Sequence, residues 1–205
     1  MGSIMYSMSR FSFRLVFLTC FIFVAGCQIA RTPDPVEYAY DTFGMDLPKG
    51  KQLYLAYDIW YTDPTNINPL NYHKGTIIPF GTPVDLVKAD NGYIIFQVKG
   101  SIRQFTLKND YPLTLLKDNE FFQKVFITEN PDTKFKDLDS ATINDMKSGI
   151  VKVNMTREQV LAVFGPAPKS LNPLSEITWT YFLSQDLKTV HVVFKNDKVT
   201  YIFEN

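Results

Sequence analysis

The stretch TREQVLAVFGP, residues 156–166, decides how the C-terminal third of the chain folds. Thr156 and Gln159 have the spacing of a capping box. In that motif the hydroxyl bonds the backbone N–H three residues later and the glutamine side chain bonds back. Apolar residues continue the helix to Phe164, and Gly165-Pro166 ends it, since glycine accepts the left-handed cap and proline cannot continue the helix.

Regular elements are predicted on both sides of this helix. Residues 135–148 carry Leu138, Ile143 and Met146 at helical spacing, with Gly149 where a C-cap is expected. After the helix, alternating apolar residues predict three strands, at 177–183, 190–194 and 199–203, with a turn at Asn196-Asp197. The C-terminal third is therefore expected to be two helices followed by three antiparallel strands.

This third of the chain resembles the SmpA/OmlA lipoproteins. The resemblance rests on NMTREQV at 154–160, FGPAP at 164–168, WTY at 179–181 and VVF at 192–194 ahead of Lys198-Val199, and it covers about residues 137–203. The family contains BamE, the small lipoprotein subunit of the outer-membrane β-barrel assembly machinery, so the resemblance implies an α-α-β-β-β fold and protein binding. Asn154 stands where the family usually has Gly, and the small members lack a counterpart of residues 52–130.

The preceding region reads as β structure. Residues 53–61 alternate as one strand, 75–81 as a short strand and turn, and 84–88 and 93–98 as a hairpin around Asn91-Gly92, where both residues tolerate positive φ. A further strand is expected over 101–107. Short strands with tight turns predict a small antiparallel barrel, and residues 75–98 loosely resemble a bacterial SH3-like domain. Between these regions, residues 111–136 read as a connector with a short helix at 118–125.

The predicted fold class is therefore α+β, a small antiparallel β domain followed by an SmpA/OmlA-like domain. The predicted organisation is a signal peptide at 1–26, a Pro- and Tyr-containing tether at 27–51, a β-rich domain with its connector at 52–130, and the two-helix, three-strand domain at 131–205.

The N-terminus has the three parts of a secretory signal. Arg10 and Arg14 precede an apolar run of twelve residues, too short for the roughly 20 that span a bilayer, and Val24-Ala25-Gly26-Cys27 follows. This string resembles a bacterial lipobox, which implies that Cys27 receives diacylglycerol and palmitate-type acyl chains and becomes the first residue. An ordinary thiol after an ordinary signal is the alternative.

Gln28 follows Cys27, where an Asp often retains lipoproteins of two-membrane bacteria at the inner membrane. Its absence favours the outer membrane, with the folded part facing the periplasm and the acyl chains contacting outer-membrane lipid.

Composition argues against several other functions. The whole chain has 21 basic and 21 acidic residues, and loss of Arg10 and Arg14 leaves a net charge of about −2, so no nucleic-acid partner is expected. Cys20 leaves with the signal and Cys27 is the lipid site, so no disulfide, thiolate metal site or cofactor other than the lipid is expected.

The sequence also lacks a recognisable catalytic motif. Asp58 and Asp63 are the carboxylates that could serve as acid and base, but only their closeness in sequence supports this, and the two histidines, His73 and His191, are too far apart to predict a metal site. No enzyme is expected.

Three aromatic residues are the candidates for contact with a partner: Trp60, Tyr61 and Trp179. Trp60 with Tyr54 and Tyr61 could form a patch for a peptide or glycan, and burial in the core is the alternative; Trp179 likewise lies on a predicted strand and could be core. We expect a lipid-anchored protein that binds another envelope protein, in outer-membrane assembly or envelope maintenance. The alternative is a cell-wall or ligand-binding lipoprotein that uses residues 52–108.

Overall fold

A computed structural model of the chain describes residues 50–90, 92–172 and 176–205. All of them belong to one compact unit, Pro33–Asn205. The predicted signal peptide, Cys27 and the predicted tether as far as residue 49 lie outside the described residues. In the part of the chain that is described, no helix has both the length and the apolar character needed to cross a membrane.

The described residues form an α+β fold of antiparallel sheets and short helices, as the sequence predicts. The strands are β1 Leu53–Leu55, β2 Ile59–Tyr61, β3 Thr76–Ile78, β4 Pro83–Asp90, β5 Tyr93–Val98, β6 Gln104–Lys108, β7 Phe126–Ile127, β8 Thr178–Phe182, β9 Thr189–Lys195 and β10 Lys198–Glu204. The helices are α1 Tyr111–Thr114, α2 Asp118–Val125, α3 Ser140–Lys147 and α4 Arg157–Phe164, with a 3₁₀ helix at Pro131–Phe135.

The first sheet has five strands in the order β6-β5-β4-β1-β7. Its centre is the predicted hairpin, in which Asp90 pairs with Tyr93 and Gly92 has φ +73°. The predicted barrel does not close among the described strands, because β6 and β7 stand at opposite edges and β7 has only two residues. Helix α2, found at its predicted position, contributes the buried Phe121, Phe122 and Val125 to this core instead.

The strand predicted over residues 53–61 is wrong as a single element. It is divided into β1 and β2, because the backbone donors between them bond to two different elements. The Ala56 N–H donates to the Val125 carbonyl (2.9 Å), and the Asp58 N–H donates to the Ala162 carbonyl in α4 (3.0 Å). The chain thereby leaves the first sheet after Leu55, and β2 pairs with β3 in a separate two-stranded sheet.

The C-terminal third follows the predicted order of elements. The first helix is shorter than predicted, since Asp139 caps it by accepting the Thr142 N–H (2.9 Å) and the 3₁₀ helix precedes it. The capping box of α4 is confirmed, as is its end at Gly165, where φ is +77°. The three strands form a sheet in the order β10-β9-β8.

Two hydrophobic clusters fill the described part of the chain. The first includes Leu55, Phe96 and Phe122, and the second includes Val160 and Val192. Phe80 of the β-rich region belongs to the second cluster, and Tyr57 lies so close to Gly165 that a Cβ there would be 2.7 Å from the ring. The regions thus pack against each other, while the domain boundary at residue 130 stays a prediction.

Candidate functional site

Two of the three predicted partner-binding residues lie at one concave surface. Trp60 and Tyr61 line a cleft of about 310 Å³. One wall is the segment 60–74, which leaves β2 and returns toward β3, and the other is residues 184–186, between β8 and β9. The remaining lining residues are polar or aromatic: Thr62, Asp63, Asn66, Asn68, Tyr72, Lys74, Ser184, Gln185 and Asp186. We refer to this surface as the polar cleft.

Asn71 holds the backbone of β2 beside the polar cleft. Its side-chain oxygen accepts the Trp60 N–H (2.9 Å), and its side-chain nitrogen donates to the Asp58 carbonyl (2.8 Å). Asn71 is buried and has φ +52°, a conformation that Asn adopts more readily than most residues. The side chain of Asn71 therefore supplies two backbone hydrogen bonds at the start of β2 that a neighbouring strand would otherwise supply.

The Trp60 side chain is half-buried against the C-terminal region. Its ring lies against the backbone of Gly149 and 5.7 Å from the ring of His73. Its Nε1 atom is buried and has no hydrogen-bond partner among the described residues, and the same holds for Ser184 Oγ on the opposite wall of the cleft. The two walls of the polar cleft thus each carry a buried polar atom that no other described residue bonds.

Tyr61 is also half-buried, but it packs on the β-rich side. Its ring meets Phe105 edge-on at 5.3 Å, and the Arg103 guanidinium carbon lies 5.8 Å from its centre. Tyr54, the third member of the predicted aromatic patch, lies in β1, in another sheet. The structure therefore brings together Trp60 and Tyr61, without Tyr54.

Trp179 lies elsewhere, in β8. It packs edge-on against Phe194 at 4.6 Å, and the Arg157 guanidinium carbon lies 5.0 Å from its ring centre. Arg157 also bonds the Glu176 carbonyl and lies 3.4 Å from an Asp197 carboxylate oxygen. The ring is half-buried within these contacts and does not line the polar cleft.

The two candidate carboxylates have unlike surroundings. Asp58 is fully buried, and its Oδ1 accepts the Phe80 N–H (2.8 Å). Burial raises the pKa of Asp58 to about 8, against the opposing effects of that N–H and of the Lys147 charge. Asp63 lines the cleft, where its Oδ1 accepts both the hydroxyl and the N–H of Thr65, and these bonds lower its pKa.

The two histidines, His73 and His191, lie in different surroundings. The ring of His73 lies 4.1 Å from that of Phe164 and 6.1 Å from that of Tyr181, and burial lowers its pKa to about 4. His191 lies in β9, where its ring stacks on Phe203 at 4.5 Å and its Nδ1 lies 3.0 Å from the Thr180 hydroxyl. In the described ranges, no three His, Cys, Asp or Glu side chains are grouped to hold a metal ion.

Sequence reasoning missed the second wall of the cleft and the residue that braces the first. Residues 184–186 are far from Trp60 along the chain, so no local pattern could pair them. Asn71 had a weak signal, because residues 66–71 read NINPLN, a run rich in residues that favour turns and positive φ.

Two further clefts share Tyr57, Lys124 and Pro166 among their lining residues. One has a volume of about 140 Å³ and includes Leu70 and Phe121, and the other has a volume of about 280 Å³ and includes Gln123 and Leu161. Their walls are mainly apolar, unlike those of the polar cleft.

Comparison of the chain with models of protein families, with curated proteins and with solved structures returned no significant match.

Proposed function

We propose that this chain is a lipid-anchored lipoprotein of the outer membrane that faces the periplasm and acts by binding a ligand in the polar cleft. The single observation that carries the binding site is the concave surface formed by Trp60 and Tyr61 on one wall and residues 184–186 on the other. Binding sites are typically clefts of roughly 300–1,000 Å³ with a few placed polar groups, and the 310 Å³ of this cleft falls within that range.

The cleft favours the cell-wall or ligand-binding function over the protein-binding one for this region. Specific protein interfaces have apolar, aromatic centres, whereas amides, hydroxyls and charges make up most of this lining. The lipobox at Cys27 supplies the anchor, and catalysis has no support in the placement of Asp58 and Asp63, since one is enclosed in the core and the other is held in a turn.

The test is sedimentation of the detergent-purified, full-length mature protein with purified peptidoglycan. Asn66→Trp places a large side chain in the polar cleft, and Gln123→Trp places the same side chain in an apolar cleft, as the matched control. Both positions are exposed. We expect the protein and Gln123→Trp to sediment, and Asn66→Trp to lose at least nine-tenths of its binding. Equal sedimentation of both variants contradicts the proposed site.

The anchor is tested separately. Cells grown with labelled palmitate should label the protein, and the Cys27→Ala variant should carry no label and leave the membrane fraction. Label retained by Cys27→Ala contradicts the assignment of Cys27.

A second candidate function is binding of another envelope protein through the C-terminal sheet, within the SmpA/OmlA-like fold that we propose for residues 131–205. The observation that favours it is the face of β9 and β10 opposite the core. Tyr201 on this face is 61% exposed, and its ring lies 5.6 Å from that of Phe203, which stacks on His191. Two helices followed by three antiparallel strands, as in the resembled family, support this candidate.

Crosslinking in intact cells tests this second function. A photo-crosslinking residue at position 201 should capture a barrel-assembly subunit or another envelope protein of defined mass, and one at the exposed position 102 should not. Identical products from both positions contradict a specific surface on this sheet.

A further inference from the structure

We propose that the ligand of the polar cleft is a neutral oligosaccharide rather than a peptide or an anion. The inference rests on the proposed binding function of this cleft and names the chemistry of what it binds.

The hydrogen bonds of the β2 backbone disfavour a peptide ligand. A peptide that binds beside a strand does so by pairing with unbonded N–H and C=O groups of the strand edge. Here one edge of β2 pairs with β3, and Asn71 occupies the Trp60 N–H and the Asp58 carbonyl at 2.9 and 2.8 Å. An extended peptide therefore finds these backbone groups already bonded, so pairing with β2 does not supply its recognition.

The side chains that line the polar cleft match the chemistry of a sugar. Sugars present many hydroxyls that both donate and accept, together with apolar C–H faces that pack on aromatic rings. The cleft offers aromatic residues (Trp60, Tyr61 and Tyr72) next to side-chain amides (Asn66, Asn68 and Gln185). Amides also donate and accept, so they match hydroxyls in either sense.

The charge of the polar cleft disfavours an anionic ligand. Asp63 and Asp186 bring two carboxylates to the cleft, and Lys74 brings one ammonium. The bonds from Thr65 that lower the pKa of Asp63 hold this group in its charged form. The excess negative charge disfavours phosphate and carboxylate ligands, and the side-chain amides of the lining match an uncharged, hydroxyl-rich ligand better than a cation, because they both donate and accept.

An unbonded polar atom on each wall of the polar cleft favours a ligand with hydroxyl groups. A buried donor or acceptor without a partner is destabilising, and both Trp60 Nε1 and Ser184 Oγ are in this state among the described residues. A serine hydroxyl changes direction by rotation about one bond. Ser184 Oγ is enclosed in its present rotamer, and a rotation that turns it toward the cleft would let a ligand hydroxyl become its partner, which ties affinity for a hydroxyl-rich ligand to this residue.

The experiment is isothermal titration of the detergent-purified mature protein with three soluble probes: a trimer of N-acetylglucosamine, a trimer of glucose and a neutral tetrapeptide. We expect at least one sugar to bind and the peptide to give no heat. The N-acetylated sugar points to cell-wall glycan as the source, and the glucose trimer points to another polysaccharide. Either result supports the inference.

Three variants locate the binding. Ser184→Ala should weaken sugar binding by about fivefold while the thermal midpoint stays unchanged or rises, since the variant removes an unbonded buried hydroxyl. Gln185→Ala should weaken it about tenfold, and Gln123→Ala, the matched exposed glutamine of an apolar cleft, should leave it unchanged.

Peptide binding that is lost in Gln185→Ala overturns the assignment to sugars and leaves the proposed binding function intact. Absence of binding by every probe, or sugar binding unchanged in Ser184→Ala and Gln185→Ala, also overturns the inference. Sedimentation with intact peptidoglycan then decides separately whether the proposed function fails as well.

Discussion

The ring of Trp60 fills the space that a side chain at Gly149 would need. A Cβ on Gly149 would overlap the Cζ2 atom of the indole and would lie 3.1 Å from a methyl group of Ile77. Gly149 also has φ +76° at the end of α3, where its N–H donates to the Met146 carbonyl (3.0 Å). Gly149 thus lies at the end of α3 and is also in contact with the ring of Trp60 from the β-rich region.

Gly149→Ala should therefore destabilise the protein more than its backbone conformation alone explains. A left-handed conformation costs a non-glycine residue roughly 1–2 kcal/mol, and displacement of Trp60 should bring the loss to about 3 kcal/mol or more. The free energy of unfolding in urea measures it. Gly100→Ala is the control, because Gly100 has φ +81° and nothing near its Cβ position. Equal losses in both variants would show that the contact with Trp60 adds nothing.

Asp58 and His73 should make opposite contributions to stability as pH changes. The folded pKa of Asp58, about 8, lies above the ordinary value of 3.8, so the folded state keeps a proton that the unfolded state loses, and stability falls as pH rises from about 4 to 8. The folded pKa of His73, about 4, lies below 6.5, so stability rises with pH across 4 to 6.5. The two effects offset each other up to pH 6.5.

Above pH 6.5 the effect of Asp58 predominates, because the opposing effect of His73 fades there. The free energy of unfolding should fall by roughly 1 kcal/mol between pH 6.5 and 8, since one pH unit is worth at most about 1.4 kcal/mol per group and the slope weakens as pH approaches the folded pKa of Asp58. Urea unfolding across pH 5–9 checks this. Asp58→Asn should abolish the fall, and Asp63→Asn should retain it, because Asp63, with its lowered pKa, is ionised throughout this range. A fall that persists in Asp58→Asn would assign it to another group.

The capping box of α4 should contribute measurably to stability. The Thr156 hydroxyl accepts the Gln159 N–H (3.2 Å), and the Thr156 N–H donates to the Gln159 side-chain oxygen (2.7 Å). Thr156→Ala should cost about 1 kcal/mol, measured as a shift of the urea midpoint. Thr156→Ser keeps the oxygen and should cost less than half as much. If serine is as harmful as alanine, the lost methyl group and not the cap is responsible.

Arg157 should stabilise the C-terminal sheet mainly through ring contacts. Its guanidinium carbon lies 5.0 Å from the centre of Trp179 and 4.3 Å from that of Phe194. Arg157→Lys should lose about 1 kcal/mol in thermal or urea unfolding, since lysine cannot stack a planar group between rings. Asp197→Asn removes only the carboxylate of an ion pair in which Asp197 is exposed and Arg157 partly buried, and it should change stability by less than about 0.5 kcal/mol. Equal losses would assign the effect to the ion pair instead.

Local signals explain which parts of the fold were predictable. The pairing of β4 with β5 as a hairpin, the capping box at Thr156 and the stop at Gly165 each depend on residues close together in sequence, and the structure confirms all three. The sequence offers Asp58 only as a candidate acid or base and does not predict its burial, because nothing within the alternating pattern of residues 53–61 shows that the chain changes sheets after Leu55.

The sequence by itself determined the α+β class, the order of most elements, the ends of α4 and Trp60 and Tyr61 as candidates, because caps, turns and hydrophobic periodicity act over a few residues. Only the tertiary structure decided that the first sheet stays open, that Asp58 is buried and that Trp60 faces Gly149. It also decided that residues 184–186 close the polar cleft more than a hundred residues after Trp60. These features depend on which distant groups bond the backbone and fill the space between elements, and no short stretch of sequence carries that information.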